Sequence, residues 1–348
     1  MIRNIAIAVI ALSIWVAASP VLAQPIPDLT VAELEAQIEA GELGKIRAVA
    51  VEQHGTTTFR KRFGKGVLGE RVDIKSAGKS ITALAVGAAI ADGALAGTDV
   101  KVWSYLGAKR TGDARDTITV ADLLSMSSAL DCNDWDKRSP GQEEKMYRKR
   151  KWRDFALALP VREYERHEAG KGPFSYCTAG VFLLGQVVEE AVGERFDLYV
   201  HRRLFDPLGI DGAKWRTSRS GEIQSGGQLT ISDTALLKLG RMVLDRGMWE
   251  GEQVLPEAWI KEMLTVRHSM SEHVHYGYLW WMTPLRSTKG YHGAFMMKGN
   301  GGNIVALVPS MDAVLVVQTE NYNRREAERN AFIVLTTMLR SLPVPPSE

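Results

Sequence analysis

The chain opens on an almost unbroken apolar run over residues 5–18, with Arg3 before it and Val21-Leu22-Ala23 after it. That order of charge, apolar stretch and small residues is a secretory signal, and it predicts removal of residues 1–23 and a mature start at Gln24. About 14 apolar residues fall short of the roughly 20 that span a bilayer, so no stable membrane anchor is expected after cleavage. Beyond the signal, apolar spacing alternates between helical and strand periods. Residues 31–40 have helical spacing, and 45–52 and 56–63 are β-rich runs on either side of Gln53-His54-Gly55, a hairpin signal. In residues 76–92, Ile81, Leu84, Ala85, Ala88 and Ala89 are apolar on most sides of a helix, which predicts burial. Helical patterns continue over 120–125, 152–159, 180–192, 232–245 and 256–264, punctuated by Gly, Pro and Asp. Strands return at 276–282, 291–297, 303–309 and 313–319, and a helix over 324–339 precedes a Pro-rich tail. No internal repeat is seen.

An opening of helix, strand, strand and a strand-rich, helix-ended close predict one α/β unit, an antiparallel sheet flanked by helices, built from residues 24–75 and 270–348. The mostly helical residues 76–269 interrupt it as an inserted domain. A cleft between the two is the default site.

Composition narrows the class. The 348 residues are 45% hydrophobic and 24% charged, which is globular, and 43 Lys and Arg against 41 Asp and Glu leave too little basic field for nucleic acid. In the oxidising, periplasmic compartment expected of an exported chain, the two cysteines, Cys132 and Cys177, are either bridged or a pair of buried thiols.

The candidate chemistry starts at Ser76-Ala77-Gly78-Lys79. A serine and a lysine three apart lie on one helix face, so the amine reaches the hydroxyl. Burial would lower the lysine pKa and let the free amine take the serine proton during attack on a carbonyl. About one such pair is expected by chance in this length, so two further elements matter. Tyr176, in Phe174-Ser175-Tyr176-Cys177-Thr178, stands at the entrance of an apolar helix, and Gly299-Asn300-Gly301-Gly302-Asn303 immediately precedes a strand, where a bare backbone can offer N–H groups to a ligand.

In that order these motifs resemble the serine hydrolases related to class C β-lactamases, D,D-peptidases and family VIII esterases, including 6-aminohexanoate-dimer-hydrolase-like enzymes. The resemblance extends to Leu123-Leu124-Ser125-Met126-Ser127-Ser128, Ser225-Gly226-Gly227-Gln228-Leu229, Val254-Leu255-Pro256-Glu257-Ala258-Trp259 and Tyr276-Gly277-Tyr278-Leu279-Trp280-Trp281, covering nearly the whole mature chain. It implies a β-lactamase/transpeptidase-like fold, Ser76 as acyl-enzyme nucleophile, Lys79 and Tyr176 as proton-transfer groups, and the backbone N–H groups of Ser76 and Asn303 as oxyanion hole. It also places the segment before Cys132 beside the cleft, so a Cys132–Cys177 bridge would clamp the Tyr176 motif.

Two departures bear on substrate. Thr178 replaces the asparagine common in penicillin-recognising members, and Asn300-Gly301-Gly302 stand where Lys-Thr-Gly is usual, with Lys298 two residues earlier either a partial substitute cation or an ordinary exposed lysine. Substrate binding is therefore expected from Asn300, Gly301, Gly302, Asn303, Thr178 and an aromatic at Trp280. No cofactor is implied. His273-Val274-His275 lacks a third ligand nearby, so no metal is assigned. The expected partner is a small ester or amide. A β-lactamase or D,D-peptidase acting on cell-wall-type substrates, and a silent binding protein on the same fold, are the alternatives.

Overall fold

The computed structural model describes residues 26–64, 70–162 and 172–343, so the signal segment lies outside the described residues. The main sheet has eight strands, numbered here in chain order: β1 (Ile46–Gln53), β2 (Thr56–Arg62), β3 (His268–Ser269), β4 (His275–Tyr276), β5 (Trp281–Ser287), β6 (Gly290–Gly299), β7 (Asn303–Val308) and β8 (Ala313–Thr319). Their spatial order is β2-β1-β8-β7-β6-β5-β4-β3, and every pairing is antiparallel. The first and last strands therefore meet, with Val51 opposite Leu315. Strands β7 and β8 are buried along their whole length, which explains why they read as continuous apolar runs and not as alternations.

On one face lie α1 (Val31–Glu39) and α5 (Ala327–Ser341), joined through Leu34, Ile38, Leu335 and Leu339 in a single apolar cluster. Thr30 starts α1 with a capping box to Glu33, which satisfies two of the backbone groups a helix end leaves unpaired. On the other face α4 (Asp233–Leu244) sits close: a Cβ at Gly240 would fall 2.6 Å from Val314 Cγ1, so only a glycine lets the helix rest on the sheet. Beyond it, α2 (Lys79–Ala91) packs against α3 (Thr178–Val192) within the larger apolar cluster. All residues of α2 from Lys79 to Ala89 are buried, as its all-round apolar pattern predicts.

One predicted strand is broken. Over 276–282 the chain pairs only at β4 and again from Trp281, because Gly277 N–H bonds Trp280 O and Leu279 adopts a left-handed φ of 59°. Leu279 N–H is drawn instead to Leu124 O at 3.0 Å, and a side chain at Gly277 would collide with Met263 O. Among the described residues, no helix is long and apolar enough to cross a membrane.

Candidate active site

Ser76 lies in a single 3-10 turn, Lys75–Gly78, that runs directly into α2. The turn is pinned before it begins. Lys75 has a left-handed φ of 52°, its N–H donates to Asp73 Oδ1 at 2.9 Å, and its carbonyl accepts from Gln228 N–H at 3.1 Å. Such a conformation in a residue with a side chain persists only where neighbours over-determine it, and here it sets the half-buried serine at the helix entrance.

The helix does what the three-residue spacing requires. Lys79 Nζ lies 3.0 Å from Ser76 Oγ, donates to Gly226 O at 2.6 Å, and stands 5.0 Å from the Tyr176 ring centre. The lysine is 1% exposed, and burial pushes its pKa below the usual lysine value, against a smaller upward pull from Glu143 and Asp134. Tyr176, also buried, hydrogen-bonds the Ser76 side chain, and burial raises its phenol so that it stays protonated. By contrast Ser80 is sealed in the core with its hydroxyl on Leu279 O.

Tyr176 is held by the strands of chain on either side of a disulfide. Cys132 and Cys177 are bridged, Ser175 Oγ donates to Cys132 O at 2.6 Å, and Asp134 N–H donates to Tyr176 O at 2.8 Å. The same loop brings in two acids that the motifs did not announce. Asp134 accepts from Thr178 N–H at 2.7 Å and Glu143 N–H at 2.9 Å, while Glu143 accepts from the hydroxyls of Tyr147 at 2.9 Å and Thr178 at 3.2 Å. Burial, then the Glu143 charge, push the Asp134 carboxyl up to about 6. Thr178 is fully buried with its hydroxyl on Glu143, so it orients an acid and does not face a substrate.

The glycine-rich turn is placed differently from expectation. Pairing of β5 with β6 ends at Met296, and beyond it the end of β6 lies against the Ser76 turn. A Cβ at Gly299 would fall 2.0 Å from Ile74 O and 2.9 Å from Ala77 N, so Gly299 is the backbone that approaches the Ser76 turn. Asn303 is on β7 opposite Gly299, and its buried side-chain amide is spent on Thr319 N–H, Thr319 O and Asn300 O, so that side chain does not face a substrate. Gly301 and Gly302 pack tightly on Tyr322 and Ala327, and the Asn300 side chain bonds Asn323. These residues shape the hairpin and its seat on α5. Lys298 pairs with Glu328 and lies over Phe332 and Trp281, so the substitute cation is engaged with α5.

Trp280 is also corrected: it is 0% exposed, buried by the turn that breaks the strand. Its neighbour Trp281, half-buried, lies 6.1 Å from Tyr176 in a stacked arrangement. Gly226 was legible only as part of the Ser225-to-Leu229 motif, and Glu143, which opens a short helix over Glu143–Tyr147, carried no motif. Their meeting at Lys79 depends on long-range packing. Among the described residues, no group of three or more His, Cys, Asp or Glu side chains is arranged to hold a metal.

Comparison with known proteins agrees with this architecture. The chain is 28% identical over 198 residues to 6-aminohexanoate-dimer hydrolase of Paenarthrobacter ureafaciens, a match over 55% of this chain that spans half the length of that relative. A penicillin binding protein from Bacillus halodurans superposes with a TM-score of 0.68 at 18% identity, covering 88% of this chain and 98% of that one. A D-stereospecific amidohydrolase from Streptomyces sp. gives 0.64 at 19%, covering 87% and 97%. They share the β-lactamase/transpeptidase-like fold of sheet and helices. The Beta-lactamase family model matches residues 47–338, and the chain belongs to the beta-lactamase family of hydrolases.

Proposed function

We propose that this protein is an exported serine hydrolase that cleaves a small ester or amide through an acyl-enzyme on Ser76. The observation that carries the reading is the buried Lys79 amine 3.0 Å from Ser76 Oγ with its pKa lowered. The neutral amine takes the hydroxyl proton as Ser76 attacks the carbonyl. Tyr176, kept protonated and bonded to Ser76, passes its proton to the leaving atom and takes one from Lys79 in return. The Ser76 N–H and the backbone at the end of β6, where Gly299 lies against the turn, cradle the oxyanion. Water then reverses the sequence and releases the acyl group.

The substrate is small and carries no carboxylate beside the reacting bond. Asp134 and Glu143 put negative charge next to Lys79, and the nearby cations are engaged, Lys75 with Asp73 and Lys298 with Glu328. A β-lactam or D-alanyl peptide needs the opposite charge at that position, and each missing charge-assisted contact costs about 1.5–3 kcal/mol. Export is supported by the N-terminal signal pattern together with the disulfide.

A fluorophosphonate probe should label Ser76 and not Ser80, and Ser76→Ala should abolish both labelling and turnover. Short-chain p-nitrophenyl esters should exceed chromogenic cephalosporins in kcat/KM. A label on another serine removes the mechanism, and a cephalosporin equal to or above the butyrate ester promotes the β-lactamase reading.

A further inference from the structure

Trp135 is 65% exposed, the largest side chain among the exposed hydrophobics, yet its indole lies parallel to the Tyr176 ring at 7° and 5.3 Å between centroids. An exposed tryptophan on a loose loop would be unremarkable. This loop is fastened on both sides of the residue. The disulfide at Cys132 ties it to the Tyr176 segment, and Trp135 N–H donates to Asn133 Oδ1 at 3.0 Å in a local turn. Asp134, just before it, is fixed to Tyr176 O, Thr178 N–H and Glu143 N–H, and on the other side Ser139 Oγ accepts from Asn133 N–H at 2.8 Å. Phe174, 6.0 Å from the indole, backs the arrangement.

We propose that Trp135 is a specificity-determining residue that binds the leaving group of the substrate, favouring an aryl or flat apolar alcohol or amine. The inference rests on the acyl-enzyme reading above. In that reading the leaving atom takes its proton from Tyr176, so whatever departs lies alongside the Tyr176 ring. The indole parallel to that ring, with most of its surface open, is the platform in reach of the group attached to the departing oxygen or nitrogen. A planar aromatic leaving group covers that surface by stacking, and a methyl or ethyl group cannot. The acyl group stays on Ser76 after the leaving group has gone, so the platform acts on acylation and leaves deacylation unchanged.

The test uses the oxidised mature chain and its Trp135→Ala and Trp135→Phe variants, with 2-naphthyl acetate and ethyl acetate as substrates that share one acyl group. The expected result is a loss of about tenfold in kcat/KM for the naphthyl ester in Trp135→Ala, with ethyl acetate changed less than about twofold. Trp135→Phe should recover most of the naphthyl rate, and the deacylation rate constant from burst kinetics should be the same in all three proteins. Equal losses on both esters would reduce Trp135 to a support for Tyr176 and overturn the proposal. Unchanged naphthyl kinetics, or a change in deacylation, would overturn it as well. Fluorophosphonate labelling run in parallel separates the two levels: failure to label Ser76 in the parent sinks the hydrolase reading, whereas normal labelling with a persistent aryl preference in Trp135→Ala sinks only this inference.

Discussion

The turn carrying Ser76 and the hairpin joining β6 to β7 lie against each other, and both were singled out by short motifs. At the first, sequence spacing translated directly into geometry, because Ser76 and Lys79 belong to one helical run whose pitch sets their separation. At the second it did not. Gly299 approaches the Ser76 turn, while the side chain of Asn303, four residues on, turns inward to bond β8. Strand contacts depend on register and on where the neighbouring strand stops, and β5 stops opposite Met296. Two lysines make the same point. Lys79 and Lys298 each lie 5.0 Å from an aromatic ring, Tyr176 and Trp281 respectively, but only Lys298 has a carboxylate pressed on its amine. A motif inside one helix is a statement about distance, and a motif across a hairpin is a statement about topology.

The sharpest way to break the comparison is at the first region. Ser76→Ala should reduce ester kcat/KM by about 10⁴-fold, and Lys79→Arg by at least about 10³-fold, since a guanidinium cannot surrender its proton at working pH. Steady-state kinetics on p-nitrophenyl butyrate measures both. Near-normal turnover in Lys79→Arg would mean that the short Ser76 contact is structural.

The hairpin supplies the next two tests, with opposite signatures. Gly299→Ala places a methyl group 2.0 Å from Ile74 O and forces β6 away from the Ser76 turn. A displacement of that size should cost about 100-fold in kcat/KM. Asn303→Ala instead removes the buried acceptor for Thr319 N–H, so thermal or urea unfolding should show a loss of about 1–3 kcal/mol while kcat/KM stays within about threefold. If Asn303→Ala lost activity at full stability and Gly299→Ala did neither, the assignment of the two residues would be reversed.

What was legible follows the range of the interactions. Helix α2, the hairpin of β1 and β2 and the runs of β7 and β8 announce themselves through local pattern, and Tyr176 through its place before α3. The exchange of Trp280 for Trp281 arose because a strand was expected where Leu279 takes a left-handed conformation and reaches Leu124. Asp134 and Glu143 carried no motif. They arrive at Lys79 because the disulfide loop folds back on α3, a contact between segments over 40 residues apart that local pattern does not encode.

These acids provide the most delicate test, since they alter the tuning of the first region without touching its motif. Burial lowers the Lys79 pKa, and the Glu143 and Asp134 charges partly oppose that shift. In the proposed mechanism the free amine is the base, so kcat/KM should rise with pH through the Lys79 titration. Glu143→Gln removes one charge that favours the protonated amine, keeps an acceptor for the Thr178 and Tyr147 hydroxyls, and lets burial act less opposed. The Lys79 pKa falls further, and the acid limb of the pH profile should move to lower pH. Glu144→Gln, one residue along at an exposed position, should leave the limb in place and controls for a general change of charge. A limb that moves to higher pH in Glu143→Gln, or equally in both variants, would show that the acids act on the fold of the loop and not on the amine of Lys79.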